Sequence, residues 1–592
     1  MAPDSEDRPL WSQLTPDLKR KIAGHIPAND AAANLRLVDS DSAAALRGLY
    51  DTITLQRTAS DEGTNCAQQP WPGHAFVAHW GRPEPWRALT LPQRWRLLCL
   101  AASSCHAASL DAALAHAGCS LTPEVLTAAA AAGNTAGCQR LLAADVGLSG
   151  SREAASAAGA GGHIAVLQLL LNTAIGSSLR FFFVSAAARG ACSGGQAAML
   201  AWLRREHDCR TSGLAEAAAR AGQVQLLEQV LLPELLPGYA PGGGGAAAAA
   251  ADWEDEPPPD VGAAVDADAE KQRWLRLQLL QAITHGSPVE VLRRHYARLW
   301  PWRQQQPQGA PPHGAFAEAE AARDRALGQL LCAAAGTNTP CWAAKLEFLL
   351  SAWGPVVTGE LLRGERGEYG GVWECAHRRP DFLARLRHLA AAGMPLRAAA
   401  VQWAAEGGHA DALAYLWDEA GLPPPPHDDD DGGGGGGGGS SSFIDCHVLG
   451  RGGAPGHLGV LRLLRSRGFV FTARHVAAEA RCSTDAALVW LAEVAEDGEE
   501  GARWWGEAWA GAACRGAGLA VLRALRARGA AVSLAALAAG GSEEALEWAA
   551  AELEAEGGYG ALQVLTVQQA RNAASNIAAT AWLRRRGLLQ PE

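Results

Sequence analysis

Aromatic and charged side chains are sparse in this chain of 592 residues, at 6% and 19%. Alanine and glycine fill much of the remainder, which favours closely packed helices over a sheet-rich fold. No C-x-x-C pair occurs among the 13 cysteines. That absence excludes the common zinc and thioredoxin-like spacings and suits free thiols in a reducing compartment. No run of about 18 apolar residues is free of charge, so no membrane span is expected. Met1 to Leu10 is acidic and has no apolar centre, unlike a signal peptide. Positive charge is also short. No basic block is longer than Arg584-Arg585-Arg586 and the net charge is -11, which argues against nucleic acid as a partner.

Catalytic signatures are missing too. There is no G-x-x-x-x-G-K-[ST], no G-x-S-x-G and no H-E-x-x-H. The glycines from Gly450 to Gly456 lack the lysine that would reach a phosphate. Cys446, His447 and His457 lack a fourth ligand and metal-site spacing. The Asp428–Asp431 run lacks the alternating ligands and closing glutamate of a calcium loop. A helical-toroid enzyme would need Asp, Glu or His converging from several repeats, and no such set is evident. The expectation is a non-enzyme with no cofactor and no bound metal.

What is present is a recurring cassette. Small residues from Ala154 to Ala160 end at Gly161-Gly162-His163, and Leu167, Leu169 and Leu170 follow at plus four, six and seven. The pattern returns at Gly408-His409 with Leu413, Tyr415 and Leu416, and at Gly456-His457 with Leu461, Leu463 and Leu464. Further copies stand at Gln196, Gln223, Trp342, Thr484, Gly518, Ser542 and Asn576, and weaker ones at His106, Asn134, Pro288 and Arg379. Most neighbours are roughly 24 to 37 residues apart, which predicts helix–turn–helix units stacked in an array. Gly162, His163, Leu167, Leu170, Gly408, His409, Leu413, Gly456, His457 and Leu461 define the unit. A histidine repeated at one turn position serves architecture rather than catalysis. The plus-six aromatics Trp202, Tyr415, Trp490, Trp548 and Trp582 read as core. Arginines end several second helices, where they complement the dipole, and Gly468, Gly529 and Gly587 follow as left-handed caps. A basic rim for an acidic partner is the alternative.

The period, the alanine-rich first helix (Ala128 to Ala132, Ala215 to Ala221), the G-H turn and the V-L-x-L-L second helix together resemble ankyrin repeats. The array is degenerate: the T-P-L-H opening survives only as Thr122-Pro123. At the other end, Leu14-Thr15-Pro16-Asp17-Leu18, then Ile22, Ile26-Pro27 and Asp30, then Leu35-Arg36-Leu37-Val38, resembles the F-box. The late tryptophan of that family is replaced by Ala43-Ala44-Ala45. Thr15 suits an N-cap with Pro16 behind it, Leu18, Ile22 and Ile26 form one helical face, and Leu35 and Val38 point inward.

The expected organisation is all-α, an ankyrin-type helical repeat solenoid with a short F-box-like module. That module occupies 8–55 and an irregular connector 56–90, whose tryptophans anchor it on the first repeat. Repeats fill 91–236, 271–420 and 443–592. A disordered acidic, Gly/Ala/Pro-rich loop spans 237–270, a Pro/Gln loop lies near 301–312, and a disordered Pro/Asp/Gly/Ser linker spans 421–442. The F-box resemblance implies docking to a Skp1-type adaptor of a cullin ubiquitin ligase through Leu14, Pro16, Leu18, Ile22, Ile26 and Pro27. The repeats would then bind a target protein in the cytoplasm or nucleus. A stand-alone ankyrin scaffold is the alternative.

Overall fold

The computed structural model describes residues 11–26, 28–50, 52–55, 65–144, 151–174, 179–209, 213–235, 267–302, 313–364, 371–422, 456–498, 500–557 and 562–589. Among them every regular element is helical. The other backbone pairings are two isolated bridges, Thr472 with Glu496 and Leu565 with Leu589. The chain divides into two compact units. Residues 1–187, 513–518 and 532–592 form one, and residues 188–512 and 519–531 the other.

In the first unit the helices Ser151–Gly161 and Ile164–Thr173 flank Gly162-His163. Gly162 takes φ +73°, a conformation that costs a side-chain-bearing residue about 1 kcal/mol or more. The turn it allows closes the helix end: Gly162 N–H donates to Gly159 O (3.1 Å) and His163 N–H to Ala158 O (2.9 Å). This double closure is a Schellman motif, and it satisfies carbonyls that a helix end otherwise leaves bare. Gly133-Asn134 repeats it, with Gly133 at φ +72° and Asn134 N–H on Ala129 O. In the second unit Gly195-Gln196, Gly222-Gln223 and Gly408-His409 do the same, with glycine φ of +69°, +72° and +74°.

The side chain after the glycine then reaches back to the preceding repeat. Asn134 Nδ2 donates to Ala102 O (2.8 Å) and His163 Nε2 to Ala131 O (3.2 Å). In the second unit Gln223 Nε2 donates to Ser193 O (3.1 Å) and His409 Nε2 to His377 O (2.5 Å). Lys345 on Thr284 O (2.8 Å) and Arg385 on Ala335 O (2.6 Å) do the same from slightly later positions. Each acceptor lies at the end of an earlier helix. The residue type varies, but each carries an N–H on a stem of suitable length.

The leucines at plus four and plus seven are the core of each second helix. Leu167, Leu170, Leu413, Leu416 and Leu461 are fully buried. Plus six differs from the expectation. Trp202, Tyr415, Trp490 and Trp548 are half-buried, and only Trp582 of that set is buried. At 100° per residue, plus six falls on the flank of the stripe formed by plus four and plus seven. There the rings meet guanidinium groups: Arg387 lies over Tyr415 (4.7 Å) and Arg586 over Trp582 (5.4 Å).

Other expectations are corrected. The 56–90 connector is not wholly irregular, because Gly73–Trp80 and Glu84–Arg87 are helical. Trp86 is buried against Trp80, and its Nε1–H donates to Trp80 O (2.8 Å), so indole packing holds a segment that prolines punctuate. Trp71 anchors on the first repeat through Ser109 Oγ (3.0 Å). The helix Ala267–Gly286 begins inside the span read as a disordered loop, where the composition turns from Pro/Gly to helix-forming residues. Gly456 has φ -100° and His457 opens its helix His457–Ser466; its Nε2 meets the buried Glu479 carboxylate (3.0 Å) rather than a preceding carbonyl. With an acidic acceptor in reach, the ring follows the charge. The calls on Pro27, on residues 237–266, 303–312 and 423–442, and on Asp428–Asp431, Cys446, His447 and Gly450 lie outside the described residues.

Sequence-distant helices also meet within the first unit. Ser120 N–H donates to Ser575 O (3.0 Å) and Ala578 N–H to Gly118 O (2.8 Å). Arg94, 1% exposed, lies 3.9 Å from Glu543. Burial pulls its guanidinium below the usual arginine range, and the Glu543 charge opposes that.

Two outcomes follow from these contacts. His163→Ala should lose about 1–2 kcal/mol in denaturant unfolding, because Ala131 O loses its donor. His163→Asn or His163→Gln should restore part of it, since both already serve at equivalent turns. Glu543→Ala should cost about 3 kcal/mol by leaving Arg94 buried without its carboxylate, and the double variant with Arg94→Met should recover most of that loss.

Candidate interaction surface of the N-terminal module

Thr15 caps the helix Pro16–Ala23, accepting from Leu18 N–H (3.4 Å), and Pro16 occupies the first helical turn. The helix turns an unexpected face inward. Lys19 and Ala23 are buried, whereas Leu18 is 48% and Ile22 39% exposed. Lys19 Nζ reaches Asp39 Oδ1 (3.4 Å) and sits 5.5 Å from the Trp11 ring centroid. A buried ammonium needs such partners, and here they dictate the rotation of the helix. Trp11 Nε1–H in turn donates to Ser42 Oγ (2.8 Å).

Asp39 caps the helix Ser40–Ala45, accepting from Ser42 N–H (2.6 Å). Its carboxyl is held below the ordinary value of 3.8, first by the Ser42 hydrogen bonds and then by Lys19. Arg20 Nε donates to Ala45 O (3.0 Å) and binds Asp17 (2.7 Å). Asn29 pairs twice with Thr54, tying the segment 52–55 to the helix Ala28–Ala33.

The module's own core is small: Ala23, Ala31 and Leu46, with Ile26, Leu35 and Tyr50 packed against it. Leu14 and Ile26 are half-buried, and Pro16 is exposed. Val38, expected inside, is 58% exposed, and Leu37 and Leu49 are exposed as well. In the short 3-10 turn Leu35–Leu37, three residues per turn bring Leu35 inward and carry Leu37 away, whereas Val38 caps the turn and faces out. The outward-facing apolar residues were legible as types in the sequence. Their orientation was not.

On the repeats, the arginines that end second helices have partners. Arg204 holds Glu234 through two bonds (2.6 and 2.7 Å), and Arg467 holds Asp418 (2.5 Å). Arg528 meets Asp497 (2.8 Å), and Arg586 meets Glu554 (3.3 Å). Asp497 is held below its ordinary value, first by Arg528 and then by Trp505. Internal carboxylates therefore take up the charge of these four arginines. Gly468, Gly529 and Gly587 take φ of +89°, +88° and +69° at the ends of these helices.

Among the described residues no group of three or more His, Cys, Asp or Glu converges as a metal site. A cavity in the first unit, lined by Cys66, Ala67, Gln68, Gln69, Ser103, Cys105, Ala131 and Ala132, offers thiols and amides but no carboxylate, imidazole or lysine. His163 and His409 each bond a carbonyl of an earlier helix and His457 bonds the Glu479 carboxylate, so the three do not converge. No described helix is long and apolar enough to cross a membrane.

Because the folded-state value of Asp39 is lowered, its contribution is present above the ordinary carboxylate range. It is lost as pH falls through the lowered value. Hydrogen exchange of peptides spanning 40–46, corrected for intrinsic rates, should therefore accelerate below about pH 4. Asp39→Ala should show the fast rate already at pH 7.

No protein-family model, no curated protein and no solved structure matches this chain.

Proposed function

We propose that this chain is a non-enzymatic protein-interaction protein, the substrate-recognition subunit of a Skp1–cullin–F-box ubiquitin ligase. In this reading residues 8–55 are an F-box-like module and the helix pairs are ankyrin-type repeats. The module docks to a Skp1-type adaptor, and the repeats bind a target protein. The chain acts in the cytoplasm or nucleus, with neither nucleic acid nor membrane as a partner.

The observation that carries the reading is the outward turn of Leu18 and Ile22 beside exposed Pro16. Large aliphatic side chains at i and i+4 usually face the core of a helical module. Here a lysine and an alanine take that place, and the leucine and isoleucine remain for a partner. Each is already more than half covered, so burying the rest would contribute about 1 kcal/mol per side chain. The six residues Leu14, Pro16, Leu18, Ile22, Ile26 and Pro27 are the proposed contact set.

The second reading is a stand-alone ankyrin-repeat scaffold. The reach-back hydrogen bonds favour it to the extent that they build a stable array without any help from the N-terminal module.

Co-purification of the full chain with a Skp1-type protein separates the two. Binding is expected, and Leu18→Glu with Ile22→Glu should weaken it at least about thirtyfold, the equivalent of about 2 kcal/mol. Their side chains touch solvent in the free chain, so the circular dichroism spectrum should not change. Absence of binding by the wild-type chain would leave the scaffold.

A further inference from the structure

Two thiols meet in the second unit. Cys332 lies in the last turns of the helix His313–Ala335, and Cys375 near the end of the helix Gly371–Ala376. Both are half-buried and both are reduced. The backbones approach closely at this point. A Cβ on Gly336 would stand 2.9 Å from Cys375 Cβ and 3.2 Å from Cys332 O. A Cβ on Gly371 would stand 3.6 Å from Cys332 Sγ. Glycines at 336 and 371 thus let the two backbones that carry Cys332 and Cys375 approach closely.

We infer that Cys332 and Cys375 form a peroxide-sensitive thiol pair, which oxidation closes into a disulfide between these two helices.

The surroundings supply the reactivity. The neighbouring Cys332 thiol holds Cys375 below the ordinary thiol range, to about 7, while Cys332 itself is pushed up by Cys375 and by burial. Arg378 and Arg379 favour the Cys375 thiolate, and Glu374 and burial oppose it. From the neighbouring helices, Arg385 is engaged by Asp381 and Ala335 O, and Glu406 faces His377. The other buried thiols differ. Burial pushes Cys99, Cys138 and Cys192 up to about 12 and Cys119 to about 11. A half-buried thiolate beside a second thiol is the arrangement of a sensor cysteine with its resolving partner.

The chemistry balances with hydrogen peroxide as oxidant. The Cys375 thiolate attacks one peroxide oxygen, the O–O bond breaks, and the departing hydroxide takes a proton to become water. Cys375 is then a sulfenic acid. Cys332 sulfur attacks Cys375 sulfur, the S–S bond forms and the S–O bond breaks. The second hydroxide leaves as water with the Cys332 proton. Two thiols are oxidised and one peroxide is reduced to two waters. The bridge closes a loop of roughly 40 residues, which restricts the unfolded chain.

The full chain treated with hydrogen peroxide should lose two hydrogens and yield tryptic peptides 326–345 and 367–378 linked to each other. Cys341 shares the first peptide, so fragmentation must place the link at Cys332. A dithiol should reverse it, and the oxidised chain should need more denaturant to unfold. At pH 7, iodoacetamide should label Cys375 at least about tenfold faster than Cys482, and Cys332→Ala should remove that advantage. Separate sulfinic acids on the two cysteines, a link to Cys341 instead, or equal labelling of Cys375 and Cys482 would each overturn the inference. The wild-type link is read without any substitution, so a variant that misfolds leaves the test intact.

Discussion

A side chain at one turn that satisfies a carbonyl in the turn before it is the interaction on which this array depends. A helix leaves its last carbonyls without intrahelical partners, and a chain of short helices multiplies that cost. Here the left-handed glycine closes some of them locally, and the residue after it crosses to the previous repeat for another. Asn134, His163, Gln223 and His409 perform the same task with different chemistry. The bond also fixes the stagger between neighbours, because the donor reaches one carbonyl only. Glycine is required twice over at Gly133, whose φ is positive and whose absent Cβ leaves room for the His163 ring.

Small side chains stand where the helices meet most closely. Gly159 faces the Ala187 carbonyl so closely that a Cβ would collide with it, and Ala154, Ala155 and Ala158 are fully buried. Helices held this close admit methyl groups on one side and the plus-four and plus-seven leucines on the other. Of the plus-six aromatics, Tyr415 and Trp582 receive Arg387 and Arg586 on their faces, and those arginines also bind carboxylates. Arg204, Arg467, Arg528 and Arg586 thus tie neighbouring segments together through carboxylates. The same close approach, at Gly336 and Gly371, is what brings Cys332 to Cys375.

The N-terminal module is governed by a different constraint. Its core is too small to bury all its aliphatic residues, and one inward position is taken by Lys19. An ammonium there must keep Asp39 and the Trp11 face, so the helix cannot rotate to hide Leu18 and Ile22. A local electrostatic requirement therefore leaves an apolar face open, and the proposed docking rests on that face.

The sequence alone determined the helical class, the period, the turn glycines and the leucine pairs, because each is a local pattern whose physical cause lies within a few residues. Proline-rich stretches concealed the helix Gly73–Trp80, since indole packing from Trp80 and Trp86 outweighed composition. Only the tertiary structure decided which side of the helix Pro16–Ala23 is buried, since that depends on Asp39 and Trp11, each several residues beyond the helix itself. It alone decided that His457 turns to Glu479, that Arg94 lies beside Glu543, and that Cys332 and Cys375 stand on closely approaching helices. Those pairings join residues that periodicity cannot relate. Periodicity reports which face of a helix is apolar. What that face meets is set by close packing between segments distant in the chain, and by the need of each buried charge to find its partner there.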